Sequence, residues 1–440
     1  MRFLRFVFGF LVVVGAVAGG ALVWATNVAV IPPIDPPDRS EFSSAIIEKG
    51  QALAAMGDCV VCHTREGGQD YAGGRALPTP FGLIYTTNIT PDAETGIGQW
   101  SQAAFQRALR EGVDRVGTYL YPAFPYDHFT RLTDEDIAAL YAYLMTREAV
   151  ADVPPENELP FPFDRRVLMA GWNLLFLDKG AFEPDPSQDE QWNRGAYLVE
   201  GIGHCGACHT PRNRFGAEDP DARFGGGDVE GWHATALNAA SPAPIPWDAD
   251  SLVNYLLDGW DGKHGIAAGP MTPVVDELAG LSEDDAYAIA AYVLSFQGRG
   301  AAEDEIAAAR AFAEERAFGS PATPAGGPQT ASRPEPGAAV FGRVCANCHR
   351  AGGRSVPLAL TSTVNGPDPR NLLHIIANGI KPPQGAFDRS MPAFGGALDD
   401  RDLADLAVFV RSHFTEKPAW PDLEASIAEI RGAEIRGEGH

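Results

Sequence analysis

Cys59-Val60-Val61-Cys62-His63 recurs as Cys205-Gly206-Ala207-Cys208-His209 and again as Cys345-Ala346-Asn347-Cys348-His349, and the three pentapeptides take up all six cysteines of the 440-residue chain. A Cys-x-x-Cys-His pentapeptide reads as a c-type haem attachment site. Two thiols three positions apart lie along one helical turn, where each can form a thioether with a porphyrin vinyl group, and the adjacent histidine reaches the iron. A structural zinc site would need a second Cys or His pair close in sequence, whereas these pairs start at residues 59, 205 and 345. A thioredoxin-type pair has no use for the histidine and sits near a βαβ pattern, which is not found here. The expectation is three covalently bound haem c groups, held by Cys59, Cys62, Cys205, Cys208, Cys345 and Cys348, with His63, His209 and His349 as proximal ligands.

The copies agree away from the cysteines, as a repeated unit demands. Trp100 precedes an amphipathic segment, Ser101 to Gly112, with Phe105, Ala108 and Leu109 at helical spacing. Trp247 precedes a matching segment ending at Gly259, and the third ends at Gly379; each glycine is expected to close its helix in the left-handed conformation. Twelve residues beyond Gly259 stands Met271, and twelve beyond Gly379 stands Met391. Thioether is the usual distal partner of histidine on cytochrome c iron, so Met271 and Met391 are the distal candidates. Thr133, Ser282 and Asp399 then open acidic capping turns ahead of apolar helices. Each unit is thus a helix carrying the haem motif, a loop, a middle helix, a ligand loop and a last helix, the small all-α cytochrome c plan.

The first copy departs. Twelve residues after Gly112 stands Phe124, which cannot ligate iron. Three alternatives follow: His128, four residues on in the same loop, coordinates through its imidazole; the distal face is vacant or holds water; or another methionine reaches in. Ligation by His128 would give the first haem the lowest reduction potential of the three, because thioether favours Fe(II) more than a second imidazole does. Elsewhere, His264 could compete with Met271, and Arg65, Arg212 and Arg214 follow their motifs closely enough to pair with haem propionates.

At the N-terminus, Arg2 and Arg5 precede a run from Phe6 to Ile34 without a charged residue. The part up to Ile31 spans about 39 Å as a helix, against ~30 Å of hydrocarbon. It reads as an uncleaved anchor, with cleavage as a signal peptide near Ala16-Val17-Ala18 as the alternative. The basic flank keeps the following chain on the exported side in either case. Acidic residues outnumber basic ones 58 to 34 for a formal charge of −24, which excludes nucleic acid as a partner bound through its phosphates. The architecture expected is all-α: three tandem cytochrome c domains behind an N-terminal transmembrane helix. The boundaries are a signal anchor at 1–34, domains at 42–150, 187–300 and 337–415, a connector at 151–186, a helix and flexible linker at 301–336, and a tail at 416–440. The connector contains an apolar helix with a basic start at Arg165 and Arg166, suited to packing between domains or to contact with the membrane or a quinone. The Pro/Gly/Ser/Thr tract at 319–337 makes the third domain the one expected to move.

Three further wordings, Tyr85-Thr86-Thr87-Asn88-Ile89-Thr90-Pro91, Leu120-Tyr121-Pro122-Ala123 and Leu140-Tyr141-Ala142-Tyr143-Leu144, carry a family likeness. With the three haem motifs and the anchor, they make the chain resemble the triheme cytochrome c subunit of membrane-bound bacterial dehydrogenases acting on alcohols, gluconate and aldehydes. The resemblance implies electron transfer from a dehydrogenase catalytic subunit to ubiquinone or a terminal oxidase, on the periplasmic side of the inner membrane. Members with quinoprotein partners often carry methionine where Phe124 stands. Tyr121–Phe129, Trp192-Asn193-Arg194-Gly195-Ala196-Tyr197 and Ser241–Trp247 look closer to cytochromes paired with molybdenum hydroxylases, which oxidise aldehydes or N-heterocycles. Nothing in the chain reads as a nucleophile–base pair or a phosphate loop. The rival from another class is a haem enzyme such as a peroxidase, using an open site at the first haem.

Overall fold

Nine residues before Cys59, ten before Cys205 and eight before Cys345 stand Gly50, Gly195 and Gly337, each inside the helix that leads to a haem motif. A Cβ on Gly50 would overlap the Ala139 carbonyl, one on Gly195 the Ala288 carbonyl and one on Gly337 the Asp405 carbonyl. The first and last helices of each module therefore cross backbone to backbone at the one residue type that permits such an approach. An aromatic residue closes each crossing: Tyr143, Tyr292 and Phe409 place their Cβ atoms against the three glycines in turn. This crossing is the frame on which each haem motif hangs.

The computed structural model describes residues 28–298, 300, 302–319, 335–353, 355–382 and 389–436, together with Gly15, Gly19 and Gly20. Most of the expected anchor and most of the expected flexible linker lie outside the described residues. Among the described residues no helix is long and apolar enough to cross a membrane.

In the first module α1 (Ser44–Met56) leads to the one-turn helix Cys59–Cys62. A hairpin of β1 (Ala76–Thr79) and β2 (Gly82–Tyr85) follows, then α2 (Gln102–Glu111) and α3 (Asp134–Met145). The connector contributes α4 (Leu168–Phe176). In the second module α5 (Glu190–Tyr197) continues into a π turn over Leu198–Ile202. That turn absorbs the extra residue in its glycine-to-cysteine spacing. Next come the hairpin of β3 (Gly227–Val229) and β4 (Trp232–Ala234), then α6 (Ala249–Asp258). The short pair β5 (Trp260–Asp261) and β6 (Gly265–Ile266) leads to α7 (Met271–Leu278) and α8 (Glu283–Leu294). The last part of the chain holds α9 (Glu303–Glu315), α10 (Pro336–Val344), α11 (Arg370–Asn378), α12 (Asp400–Phe414) and α13 (Leu423–Arg436). The chain is mainly helical, and the two-stranded antiparallel hairpins are an addition to the expected all-α plan.

The caps form where the sequence places them. The side chains of Thr133, Ser282 and Asp399 accept from the amides of Asp136, Asp285 and Asp402. Gly112 and Gly259 close α2 and α6 in the left-handed conformation, at φ 61° and 70°. Gly379 shares the positive φ, 75°, but its ψ of −168° leaves the helix in an extended direction. The Met391 carbonyl leaves no room for a Cβ there.

The residues fall into two compact units. The first comprises Met1–Glu183 with Glu200–His204 and Arg214–Ala217; the second comprises Pro184–Val199, Cys205–Asn213 and Glu218–His440. Two expectations change within the second unit. Ala313 of α9 and Trp420, Ile427 and Ile430 at the C-terminus are buried in the same core as Phe341, Leu373, Leu406 and Phe414. The helix expected in a linker and the expected tail thus complete the third module. That module also makes direct contacts with the second. The His233 amide donates to Asn371 Oδ1 at 2.9 Å, Asn371 Nδ2 returns a bond to the His233 carbonyl at 2.7 Å, and Trp232 stacks on His374 with centroids 4.6 Å apart.

Candidate haem sites

The first two motifs share one device. His63 Nδ1 lies 2.6 Å from the Thr87 carbonyl oxygen, and His209 Nδ1 lies 2.7 Å from that of Thr235. A carbonyl only accepts, so the proton sits on Nδ1 and the lone pair on Nε2, the arrangement in which an imidazole can bind a metal. The hairpins position these carbonyls: β2 ends two residues before Thr87, and β4 ends one residue before Thr235. The loops are tied back at the same point, with the Gly73 amide donating to the His63 carbonyl at 2.7 Å and the Gly226 amide to that of His209 at 2.9 Å. Burial pushes both imidazoles below the usual histidine range, opposed by the bonds to Thr87 and Thr235, so neither carries a charge at neutral pH.

The third site is built differently. His349 is also pushed down by burial, but its Nδ1 is buried with no hydrogen-bond partner. Beside it opens a cavity of about 390 Å³ lined by Cys348, His349, Leu360 and Phe414 among others. Burial, with the neighbouring Cys348, pushes the Cys345 thiol up to about 11. An orphaned imidazole nitrogen, a Cys345 thiol that resists ionisation and adjoining space fit a large flat group better than a metal ion held by thiolates.

No disulfide joins the six cysteines. Among the described residues, ligand atoms of three His, Cys, Asp or Glu side chains converge only at Asp228, His233 and Asp368. No haem-motif cysteine therefore belongs to a zinc-like cluster. The triad itself is occupied by Arg370, whose Nη2 lies 2.6 Å from Asp228 and 2.7 Å from Asp368.

The distal candidates are placed as follows. Met391 is half-buried and paired with Ile380 through both backbone bonds, at 2.9 and 3.1 Å. It packs against the same core as Cys345 and Ala346. Met271, expected in an open loop, begins α7 instead, next to Gly269, where a Cβ would meet the Trp232 indole. Phe124 packs on Tyr126 and Phe129, with centroids 6.3 and 5.3 Å away, within an aromatic cluster that includes Trp172. His128 is buried; its Nδ1 donates to the Glu200 carbonyl at 2.9 Å, and its ring sits 6.4 Å from that of His204. It therefore has the same tautomer as His63.

His264 is no competitor to Met271. Its nitrogens bond Asp261 Oδ1 at 2.6 Å and the Ile245 carbonyl at 3.0 Å, and its ring stacks on Trp247 at 3.7 Å. Arg65 pairs with Asp152 at 2.8 Å, and Arg212 donates to the Ala207 carbonyl at 2.9 Å, which gives both arginines a protein partner. Met56 and Met145 are buried in the core. Sequence reading missed the carbonyls of Thr87 and Thr235 and the glycine crossing. For the crossing a signal existed in the near-constant distance from glycine to motif.

Comparison with known proteins gives the family. Residues 47–148 match the cytochrome c family, and residues 332–410 match the family described as cytochrome c oxidase, cbb3-type, subunit III. The gluconate 2-dehydrogenase cytochrome c subunit of Pantoea cypripedii is 38% identical over 84% of this chain and 86% of its own length. The fructose dehydrogenase cytochrome subunit of Gluconobacter japonicus is 35% identical over 93% of this chain and 87% of its own. The chain belongs to the cytochrome c subunits of membrane-bound bacterial dehydrogenases. A nicotinate dehydrogenase subunit of Pseudomonas putida is 46% identical over 93% of this chain, which spans about a third, 34%, of that longer protein. Membership makes these modules haem c domains and the chain an electron-transfer subunit.

Proposed function

We propose that this subunit carries three covalently bound haem c groups and relays electrons from a dehydrogenase catalytic subunit to ubiquinone or a terminal oxidase. In this reading it is held at the inner membrane by residues 1–34, with its soluble part in the periplasm. The thioethers form at Cys59 and Cys62, Cys205 and Cys208, and Cys345 and Cys348. His63, His209 and His349 are the proximal ligands; Met271 and Met391 are the distal ligands of the second and third haems. Bound haem supplies the one-electron chemistry. The chain's own residues fix imidazole tautomers, exclude water and hold the helix crossings. The observation that carries the reading is the paired hydrogen bond from His63 to Thr87 and from His209 to Thr235, since it prepares Nε2 at two motifs in the same way.

At the first haem, His128 is the favoured distal ligand, because its Nδ1 bond to Glu200 leaves it in the ligating tautomer. An open distal face supports the second reading, a haem enzyme that binds a small molecule there; Phe124 in the methionine register is the observation in its favour. The partner enzyme is proposed to oxidise an aldehyde or N-heterocycle, on the strength of the identity to a nicotinate dehydrogenase component.

The test is haem counting on the purified full chain matured in the periplasm. Three equivalents of peroxide-stainable haem should survive denaturation, and each Cys-pair→Ala variant should remove one. Fewer than three in the unaltered chain would defeat the reading. Carbon monoxide binding to one haem in three, with peroxidase turnover, would favour the enzyme reading; absence of carbon monoxide binding would favour ligation by His128. Isolation with a large cofactor-bearing subunit at fixed stoichiometry is expected, and recovery of the chain alone under mild extraction would count against a fixed partner.

A further inference from the structure

Within the first unit, α4 turns its leucines outward. Leu168, Leu174 and Leu175 are 45%, 77% and 71% exposed. Gly171 lies between them on the same face, where a Cβ would meet nothing within 4 Å. The opposite face holds Ala170, Trp172 and Asn173, and it carries the polar bonds. Asn173 Nδ2 donates to the Glu111 carbonyl at 2.9 Å, Tyr126 Oη donates to Asn173 Oδ1 at 2.7 Å, and Trp172 Nε1 donates to the Phe215 carbonyl at 3.1 Å. These bonds fix the rotation of the helix, so the outward leucines are not a matter of loose packing. A surface helix of a soluble domain has the reverse pattern. Phe161 and Phe163 extend the exposed apolar area along the preceding segment, to a kind of patch that usually marks an interaction surface.

The path of the chain points to what covers it. Val28, where the continuous described chain begins, packs together with Met169 of α4 against Val113, Tyr119 and Ala170. The Ile31 amide is then fixed to the Arg115 carbonyl at 2.9 Å. The uncharged run from Phe6 therefore reaches the folded domain beside this helix. Arg165, paired with Asp164 at 3.4 Å and with its side chain 64% exposed, stands three residues ahead of the helix, and Arg214 lies over the ring of Phe215. In a chain of charge −24, cations beside exposed leucines match the boundary between anionic headgroups and acyl chains.

We propose that α4 and the Phe161–Phe163 segment form a second, monotopic membrane contact, seated on the bilayer surface next to the N-terminal anchor. The proposal rests on the anchored reading above, and the test separates the two. The full haem-loaded chain is reconstituted in phosphatidylethanolamine–phosphatidylglycerol vesicles containing a phospholipid with a diazirine in its acyl chain, irradiated, digested with trypsin and mapped by mass spectrometry. Adducts are expected on peptide 6–39 and on peptide 167–179. The L174E/L175E variant should lose label on 167–179 by about fivefold or more with 6–39 unchanged. L174S/L175S should give a smaller loss in the same place, and unchanged visible spectra would show both variants folded. Label on 6–39 with none on 167–179 overturns this proposal and leaves the anchor. Label on 167–179 with none on 6–39 supports the monotopic contact and removes the anchor. Label on 167–179 that withstands both charges overturns the proposal. So does its disappearance in the intact complex isolated with its dehydrogenase, which would assign the face to that enzyme.

Discussion

The first and third modules share a frame and differ at the iron site. In both, a glycine of the entry helix lies on a backbone carbonyl of the last helix, at Gly50 on Ala139 and at Gly337 on Asp405. At the candidate haem, however, His63 is oriented by Thr87 while His349 Nδ1 has no partner, and Phe124 occupies the register that Met391 fills in the third module. The scaffold is repeated because its constraint is steric and admits one residue type. On the proposed ligation, the ligand chemistry is free to vary because it depends on single side chains. A chain built this way can grade its reduction potentials module by module without altering the fold.

The largest expected effect attacks the shared frame. G50V and G337V should each cost about 3 kcal/mol or more through forced separation of the crossing helices. Each should lower haem content by about one equivalent, read by thermal melts and haem stain. If either variant is tolerated, the crossing is not the common foundation.

Next come exchanges of the iron-site difference itself. F124M should raise the potential of the first haem, M391H should lower that of the third, and H128A should alter the spectrum and potential of one haem alone. A spectroelectrochemical titration reads all three. With His128 as ligand, the first haem of the unaltered chain should titrate lowest, and finding it highest would reverse the assignment.

A smaller effect concerns how the third module is held. H374A removes the stack on Trp232 and should loosen the docking on the second module by about 1 kcal/mol, seen as faster hydrogen exchange over residues 228–235. Unchanged exchange there would mean that the Asn371 bonds and the Arg370–Asp228 pair hold the modules together without the stack.

The smallest effect is a pH dependence peculiar to the second module. Burial opposes ionisation of Asp248, but hydrogen bonds from Lys263 and Ser251 outweigh it and hold the carboxyl down at about 2. A depressed carboxyl contributes stability above its unfolded value of 3.8, and that stability is lost as pH falls toward 2. Because the pair is partly exposed, at 31% and 47%, screening limits it to about 0.5 kcal/mol. K263M should remove that acid-dependent increment, and identical acid melts would contradict it.

Much of this was legible in the sequence. The pentapeptides, the glycines that end α2 and α6, and the caps at Thr133, Ser282 and Asp399 act through local geometry within a few residues, so spacing reveals them. Thr87 and Thr235 act through backbone carbonyls, which any residue supplies, and only the fold decides which carbonyl arrives. His264 reads in sequence as a possible ligand; its bonds to Asp261 and Ile245 depend on a fold that returns the chain past Trp247. Helix α9 reads as part of a linker because an Ala/Glu-rich segment beside a Pro/Gly tract resembles a spacer, whereas Ala313 is buried in the third core. Met271 reads as a loop residue because Pro270 and Pro273 signal stiffness, yet proline is equally at home in the first turn of a helix.

The burial of Ala313, Ile427 and Ile430 in one core with Phe341 has a practical consequence for gene dissection. A fragment intended to carry the third module alone has to begin ahead of Glu303 and run past Ile430. A cut at the Pro/Gly tract, where the eye first puts it, would strip a helix from the fragment and leave oily surface on the remainder, so both products would be prone to aggregate.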